Sequence, residues 1–420
     1  MLFLYRILIN IVLLFSPLII LIRLLKKKED PIRFKEKFSL FSKKRRKGNL
    51  VWFHGASVGE ILSVVPLIQV LEKNKDISQI LVTSNTLSSS KILSNLKLKK
   101  TVHQFYPIDH KYFVNKFLKH WSPSIAIFID SEIWPTMLTS IKSKSISLIL
   151  LNGRINKKSF KKWKKIGLAT EILFSKFDLC LPSSNESKKH LDLLGAKNIK
   201  YIGNLKFTES ELVSNIMELK LKKFFLSKKI WCASSTHEGE EEIVAKAHIQ
   251  LKKKNKNFLT IIIPRHVNRS SKIKNNLEKL NLKIHTHSSQ KKIADDTDIY
   301  LVDVYGKTKI FFSICNTVFL GGSLIKHGGQ NPLEAARYGC KILHGSNTWN
   351  FHEIYNLLNK IKVSHKVSNI QQVIKKINLG ISNNQNTRNI KHRLNILSAK
   401  ILKLTLNEIN YFLFKENENK

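Results

Sequence analysis

The residues able to do chemistry gather where short apolar runs end. After LVWFH (50–54) comes Gly55-Ala56-Ser57-Val58-Gly59-Glu60, a tight turn that delivers a carboxylate to a helix start. Such a glutamate serves either as an acid–base group or as a first-turn partner of the helix dipole. SIAIFID (124–130) ends in Asp130, followed by Ser131, Glu132, Ile133, Trp134 and Pro135. Two acids at i and i+2 beside a Trp-Pro corner suit a ligand, and equally a helix N-cap. FLTIIIP (258–264) runs into Pro264-Arg265-His266, where an arginine fork can take two phosphate oxygens at once.

The richest stretch is Gly321-Gly322-Ser323, then Lys326-His327-Gly328-Gly329-Gln330-Asn331-Pro332-Leu333-Glu334. Its glycines permit close backbone approach, Asn331 can cap, and Pro332 fits the first helical position. The free N–H groups of such a helix start attract an anion, and Glu334 in the first turn is placed for ribose hydroxyls. Ser235-Thr236-His237-Glu238-Gly239-Glu240 offers a second junction of this kind.

These junctions need strands to carry them. The candidate strands are 50–54, 77–84, 124–130, 145–152, 179–183 and 199–204, then 230–234, 258–264, 299–304, 317–322 and 340–345. They alternate with helical stretches, 60–73 among them, which predicts an α/β fold of mostly parallel sheets. Two such units fit, over 50–210 and 229–384, joined by a charged, helix-prone stretch over 211–229. Residues 385–420 read as helical and are expected to pack back on the first unit. In open α/β sheets ligands sit beyond the carboxyl ends of the strands, where all the junctions above lie.

Residues 1–25 form a nearly continuous apolar run broken by Arg6, Asn10, Ser16, Pro17 and Arg23. The run is long enough to span a bilayer, and an interfacial helix fits as well. No small-residue cleavage site follows it. The 26–49 segment is polybasic, with Lys26, Lys27, Lys28, Arg33, Lys35, Lys37, Lys43, Lys44, Arg45, Arg46 and Lys47. It places the remainder on the cytoplasmic face and suits anionic headgroups.

The chain has 420 residues, 72 Lys plus Arg, 30 Asp plus Glu and a net charge of +42. Its partners are therefore polyanions: nucleic acid, an anionic membrane face or phosphorylated substrates. Part of the excess is compositional, since lysine is scattered along the whole chain. At 43% hydrophobic, the sequence excludes wholesale disorder. Cys180, Cys232, Cys315 and Cys340 form no CxxC, and no HExxH occurs, which speaks for free thiols in a reducing compartment and against a zinc site.

Seven ordered motifs carry a specific resemblance: WFHGASVGE (52–60), DSEIWP (130–135), LLNGRI (150–155), GNLKF (203–207), WCASSTHEGEEE (231–242), PRH (264–266) and FLGGSLIKHGGQNPLEAA (319–336). Together they resemble the family of 3-deoxy-D-manno-octulosonic acid (Kdo) transferases over roughly residues 1 to 360. The resemblance implies a GT-B architecture of two Rossmann-like domains facing a cleft, preceded by a membrane-anchor helix. It implies transfer of Kdo from CMP-Kdo to the lipid A precursor, lipid IVA, in lipopolysaccharide core biosynthesis. That chemistry takes place on the cytoplasmic face of the Gram-negative inner membrane.

Residue by residue, Glu60 matches the family's general base, and Glu132 and Lys206 match positions that stabilise the transition state. Pro264 and Arg265 match the CMP phosphate contact. Gly306, Lys307 and Thr308 match another nucleotide contact, and Asn331, Pro332, Leu333 and Glu334 the nucleotide-binding helix start. The family implies inversion at the anomeric carbon, with neither metal nor cofactor. Two departures stand out. Gly306-Lys307-Thr308 replaces the usual Gly-Glu-Leu or Gly-Glu-Met, and Asp130 replaces the usual glutamate. The polybasic stretch and the first domain then have the two acceptor phosphates to hold as well as a membrane. A UDP-sugar transferase with a lipid-linked acceptor is the rival enzyme. A tethered nucleic-acid-binding protein is the rival of another class; it predicts an RNP motif or KH-type loop that the sequence lacks.

Overall fold

The computed structural model describes residues 2–208, 217–381 and 384–414. The chain divides into two compact units, Met1–Ser210 with Ser398–Lys420, and Glu211–Leu397.

The first unit is built on six parallel strands: β1 Asn49–His54, β2 Ile77–Ser84, β3 Thr101–Phe105, β4 Ile125–Ile129, β5 Ser147–Gly153 and β6 Leu179–Pro182. Their order is β3-β2-β1-β4-β5-β6, so the winding reverses between β1 and β4. β1 and β4 are apolar on both faces because both faces of a central parallel strand are covered by helices. Leu50 to Phe53 and Ile125 to Ile129 are wholly buried. Trp52, Phe117, Trp121 and Phe128 pack the core beside them. The indole N–H groups of Trp52 and Trp121 are satisfied by Thr83 Oγ1 at 2.9 Å and Gln104 Oε1 at 3.1 Å.

The second unit has seven parallel strands: β7 Lys229–Thr236, β8 Phe258–Pro264, β9 Ile284–Thr286, β10 Ile299–Leu301, β11 Thr317–Leu320, β12 Lys341–His344 and β13 Ser364–Lys366. The order β13-β12-β11-β7-β8-β10-β9 again reverses, here between β7 and β11.

Three short strands, β3, β9 and β13, escape the sequence reading because each is a sheet edge carrying polar residues. The expected strand over 199–204 does not form. Only Ile199 bridges to Cys180, and the chain then turns at Gly203, φ +117°, into the 3-10 helix Leu205–Thr208. The turn makes room for the long helix Asn384–Phe414, whose Ile401 packs against Gly203. Lys200 and Glu408 pair alongside at 2.9 Å. Of the helix-prone stretch over 211–229, residues 219–226 are helical. Residues 211–216 of that stretch, and 415–420 of the expected C-terminal helix, lie outside the described residues.

The helix Leu2–Leu25 has a mean hydropathy of 2.6 from Leu4 on. Tyr5, Ile9, Leu13, Ser16, Ile20 and Leu24, spaced three or four residues apart, are buried or half-buried and form one stripe. Leu4, Leu8, Val12, Leu14, Phe15, Leu18 and Leu21 are exposed. The polybasic segment is partly spent on the fold. Arg33 forks onto buried Glu36 at 2.9 and 3.0 Å, Lys37 meets buried Glu29 at 2.6 Å, and Arg45 donates to the Trp121 carbonyl at 2.6 Å. Lys26, Lys27, Lys28, Lys35, Lys43, Lys44, Arg46 and Lys47 remain exposed.

A Cβ on Gly203 would stand 2.8 Å from Ile401 Cδ1, on a left-handed backbone. Gly203→Ala should therefore cost about 1–3 kcal/mol of stability. Ile401→Ala in the same chain should recover only the steric part. An unchanged denaturant midpoint for Gly203→Ala would remove the C-terminal helix from this position.

Candidate functional site

Both groups of candidate residues stand at the carboxyl edge of a sheet, beside the strands where the winding reverses. That is where an open α/β sheet leaves a crevice.

In the first unit Glu60 follows β1, and Asp130 and Glu132 follow β4. Glu60 lies in the first turn of the helix Val58–Leu71 and is bonded to its N-cap residue, Ser57, and to the residue before it. Its backbone N–H donates to Ser57 Oγ at 3.3 Å, the Ser57 hydroxyl donates back to Oε1 at 2.7 Å, and the Ala56 N–H donates to Oε2 at 2.7 Å. Burial pushes the Glu60 carboxyl above its ordinary range. Ser57 and Ala56 pull it down, while Glu132 and Asp130 repel its negative form and push it further up. A raised carboxyl is the property a general base needs near neutral pH.

Glu132 has the opposite setting. Burial alone would raise it, but donors to Oε2 outweigh burial and hold it below its ordinary range. These are His54 Nε2 at 3.2 Å and Trp134 Nε1 at 2.8 Å. His54 is wholly buried and burial pushes its own pKa down, so the contact is a hydrogen bond from a neutral ring rather than an ion pair. Asp130, on a left-handed backbone at φ +60°, has a buried Oδ1 with no hydrogen-bond partner. Burial raises its pKa, and the Lys206 and Arg154 cations pull it back. Lys206 is brought there by Asn152, whose Oδ1 accepts the Leu205 N–H at 3.0 Å. That bond joins the LLNGRI and GNLKF segments. The first unit thus places Glu60, Asp130, Glu132, Lys206 and Arg154 together.

In the second unit, contacts link the expected segments to one another. Arg265, exposed after β8, lies near enough to His237 for its cation to depress the ring's pKa. Burial is the larger cause, and with His327, His266, Arg269 and Arg265 it brings His237 to about 4. His237 packs on His327, ring centroids 4.0 Å apart, and meets the Gln330 amide at 3.3 Å, next to Asn331. Glu334 pairs with Lys309 at 3.5 Å, which joins it to the helix Thr308–Phe312 behind Gly306 and Lys307.

Two details differ from expectation. Pro332 occupies the N-cap and Asn331 precedes it, although Asn331 Oδ1 still accepts the Leu333 N–H at 3.1 Å. The Gly321-Gly322-Ser323 loop does not offer free N–H groups. Buried Glu240 accepts from His237, Gly322, Ser323 and Leu324 at 2.7–3.1 Å, so a protein carboxylate already fills that cradle. The junction at 235–240 is therefore structural at its glutamate. His54, Trp134 and Arg154 in the first unit, and His237 and His327 in the second, are additions to the residues picked from sequence. All five lie inside the quoted motifs; Trp134, His237 and His327 also stand in the junctions read from the sequence, whereas His54 and Arg154 have no signal beyond the motifs.

The family model described as 3-Deoxy-D-manno-octulosonic-acid transferase (kdotransferase) matches residues 32–209. The 3-deoxy-D-manno-octulosonic acid transferase of Rickettsia bellii is 37% identical over 328 residues, 78% of this chain and 78% of the relative. This chain belongs to the Kdo transferase family. The transferase of Rickettsia felis is 33% identical over 371 residues, 87% of this chain and 80% of that one. Among solved structures, a putative UDP-N-acetylglucosamine 2-epimerase from Listeria monocytogenes superposes with a TM-score of 0.60. It is 12% identical and covers 89% of this chain and 98% of its own, a likeness of fold alone. The protein is thus a Kdo transferase of lipopolysaccharide biosynthesis, with the two parallel-sheet domains of GT-B glycosyltransferases.

A helix start of this kind accepts Gln as well as Glu three residues after its N-cap. Glu60→Gln should accordingly leave the melting temperature of this Kdo transferase within a degree or two of wild type. Ser57→Ala should cost about 1 kcal/mol. It should also move the acid limb of the rate profile to higher pH, because one donor that lowers the Glu60 pKa is gone. A large loss of stability in Glu60→Gln would make Glu60 a structural cap.

Proposed function

We propose that this enzyme transfers Kdo from CMP-Kdo to the lipid A precursor lipid IVA, with Glu60 as general base and inversion at the anomeric carbon. The observation that carries the reading is the divergent setting of the carboxylates at the β1/β4 edge. Glu60 is pushed up toward the range of a working base while Glu132 is held ionised beside it. In the step, an acceptor hydroxyl oxygen attacks the anomeric carbon of Kdo as its proton passes to Glu60. The bond from that carbon to the phosphate oxygen breaks, and CMP leaves with the electron pair. Positive charge developing at the anomeric carbon is stabilised by ionised Glu132, and negative charge on the Kdo carboxylate or leaving phosphate by Lys206.

On the donor side Arg265, with Pro264 setting its backbone, takes the phosphate. Asn331, Pro332, Leu333 and Glu334 hold the nucleotide, and Gly306-Lys307-Thr308 contributes through its backbone. Lys307 puts a cation where relatives of the resembled pattern carry an acid, which suits a phosphate. These residues supply the charges the step needs, and the reading calls on no metal or cofactor.

The buried stripe on the helix Leu2–Leu25 supports a helix lying in the interface with its other sides in lipid, since a spanning helix meets lipid all round. The exposed basic residues of 26–49 would then rest on anionic headgroups of the inner membrane, with the catalytic units on the cytoplasmic face.

Mass spectrometry of lipid IVA incubated with CMP-Kdo and membranes carrying the protein should show an increment of one Kdo or a multiple. Glu60→Gln should abolish the increment and leave CMP-Kdo binding within twofold. An increment with a UDP-sugar, and none with CMP-Kdo, would overturn the assignment of the donor.

A further inference from the structure

The proposed role of Glu132 rests on how its carboxylate is held, and a buried chain of side chains reaches it from inside the core. Trp52, Thr83 and His54 are all wholly buried. The Trp52 indole N–H donates to Thr83 Oγ1 at 2.9 Å. That leaves the Thr83 hydroxyl hydrogen for His54 Nδ1 at 3.0 Å, with the Phe53 carbonyl more distant at 3.4 Å. His54 Nε2 in turn faces Glu132 Oε2 at 3.2 Å.

Nδ1 also stands 3.3 Å from the Thr83 carbonyl, but that carbonyl already accepts the Gly55 N–H at 3.1 Å, so the Glu132 end decides the tautomer. With the hydrogen on Nδ1, a bare Nε2 lone pair would face a carboxylate oxygen, two acceptors opposed in a dry site. With the hydrogen on Nε2, Nδ1 accepts from Thr83 and Nε2 donates to Glu132. The ring plane is fixed as well. Tyr106 stacks on His54 with centroids 3.7 Å apart at 20°, and Phe128 meets it edge-on at 5.2 Å and 67°. Trp134 donates to the same Glu132 oxygen at 2.8 Å, so both donors clamp Oε2. Oε1 makes no hydrogen bond among the described residues.

We propose that His54 is a positioning residue for the transfer step, fixing Glu132 through Nε2–H so that Oε1 is the oxygen left to the ligand. The inference rests on the reading of Glu132 given above and adds a residue that acts only through it. Outer partners that orient metal ligands are worth about 10–100-fold, and an effect of the same order is expected where the oriented group is a carboxylate.

The test compares His54→Leu, His54→Gln, Glu132→Gln and the pair His54→Leu/Glu132→Gln, all in the full chain in membranes. His54→Leu should lower kcat about 10–100-fold with KM for CMP-Kdo changed less than about twofold. His54→Gln, whose amide can still donate toward Glu132, should restore most of kcat. In the Glu132→Gln background, His54→Leu should cost nothing further. Equal losses in His54→Leu and His54→Gln, or fully additive losses in the pair, would overturn the proposal. Wild-type activity in Glu132→Gln would instead remove the role of Glu132 itself. An inactive Glu132→Gln beside a fully active His54→Leu would sink the His54 inference alone. If His54→Leu does not fold, Thr83→Val and Thr83→Ser repeat the test from the far end of the chain. Val should lower kcat and Ser preserve it, and equal kcat in both would overturn the proposal.

Discussion

Like charge crowded at one sheet edge is the constraint on which the first unit depends. Glu60, Asp130 and Glu132 all sit where the winding reverses between β1 and β4, and each raises the cost of ionising another. The fold meets that cost differently for each acid. Glu60 is held by the start of its own helix, Glu132 by donors from a core histidine and a tryptophan, and Asp130 by the Lys206 and Arg154 cations. The result is a set of carboxyls whose proton affinities are driven apart rather than levelled. Carboxyls set apart in this way differ in which of them takes up a proton first.

The second unit solves the converse problem. Its carboxyl edge carries the Arg265 cation, yet its loops contain acids of their own. Glu240 is turned inward, where four backbone N–H groups hold the 321–324 loop onto the end of β7. Glu241 is taken up by Arg269 at 3.0 Å. With these two acids satisfied internally, Arg265 and His327 stand exposed at that edge, and His237 lies buried against the His327 ring. A nest of N–H groups that reads as an anion site in sequence can be filled by the protein's own carboxylate. Only the structure decides which use is made of it.

That distinction also explains what the sequence disclosed. The central strands and both carboxyl edges were legible, because continuous apolar runs ending in glycine and acid leave few alternatives in an α/β chain. Thr101–Phe105 was missed since His103 and Gln104 break its apolar pattern. Residues 199–204 mislead because the conformation of Gly203 answers to Ile401, about two hundred residues later, which the local pattern does not show. His54 was hidden for a similar reason. At the end of an apolar strand a histidine reads as core, and its partner Glu132 lies 78 positions away. Glu60 is legible because the turn that delivers it is local, and that turn suits a partner of the helix dipole as well as an acid–base group.

The apolar N-terminal helix is tied into this same acid edge. Tyr5 donates to Asp109 at 2.7 Å, and Asp109 accepts the Thr136 and Met137 N–H groups at 2.9 and 2.8 Å. Those groups open the helix Pro135–Lys142, and the residue just before it, Trp134, is one of the two donors to Glu132. Burial lifts the Asp109 carboxyl to about 6, against the pull of the Tyr5, Thr136 and Met137 donors. Lifting the helix away would leave that buried carboxyl one donor short, a loss of about 1–3 kcal/mol at a single residue. The start of the Trp134 corner would loosen with it. The apolar helix and the Glu132 carboxylate are then parts of one folded piece, and whatever displaces the first is felt by the second.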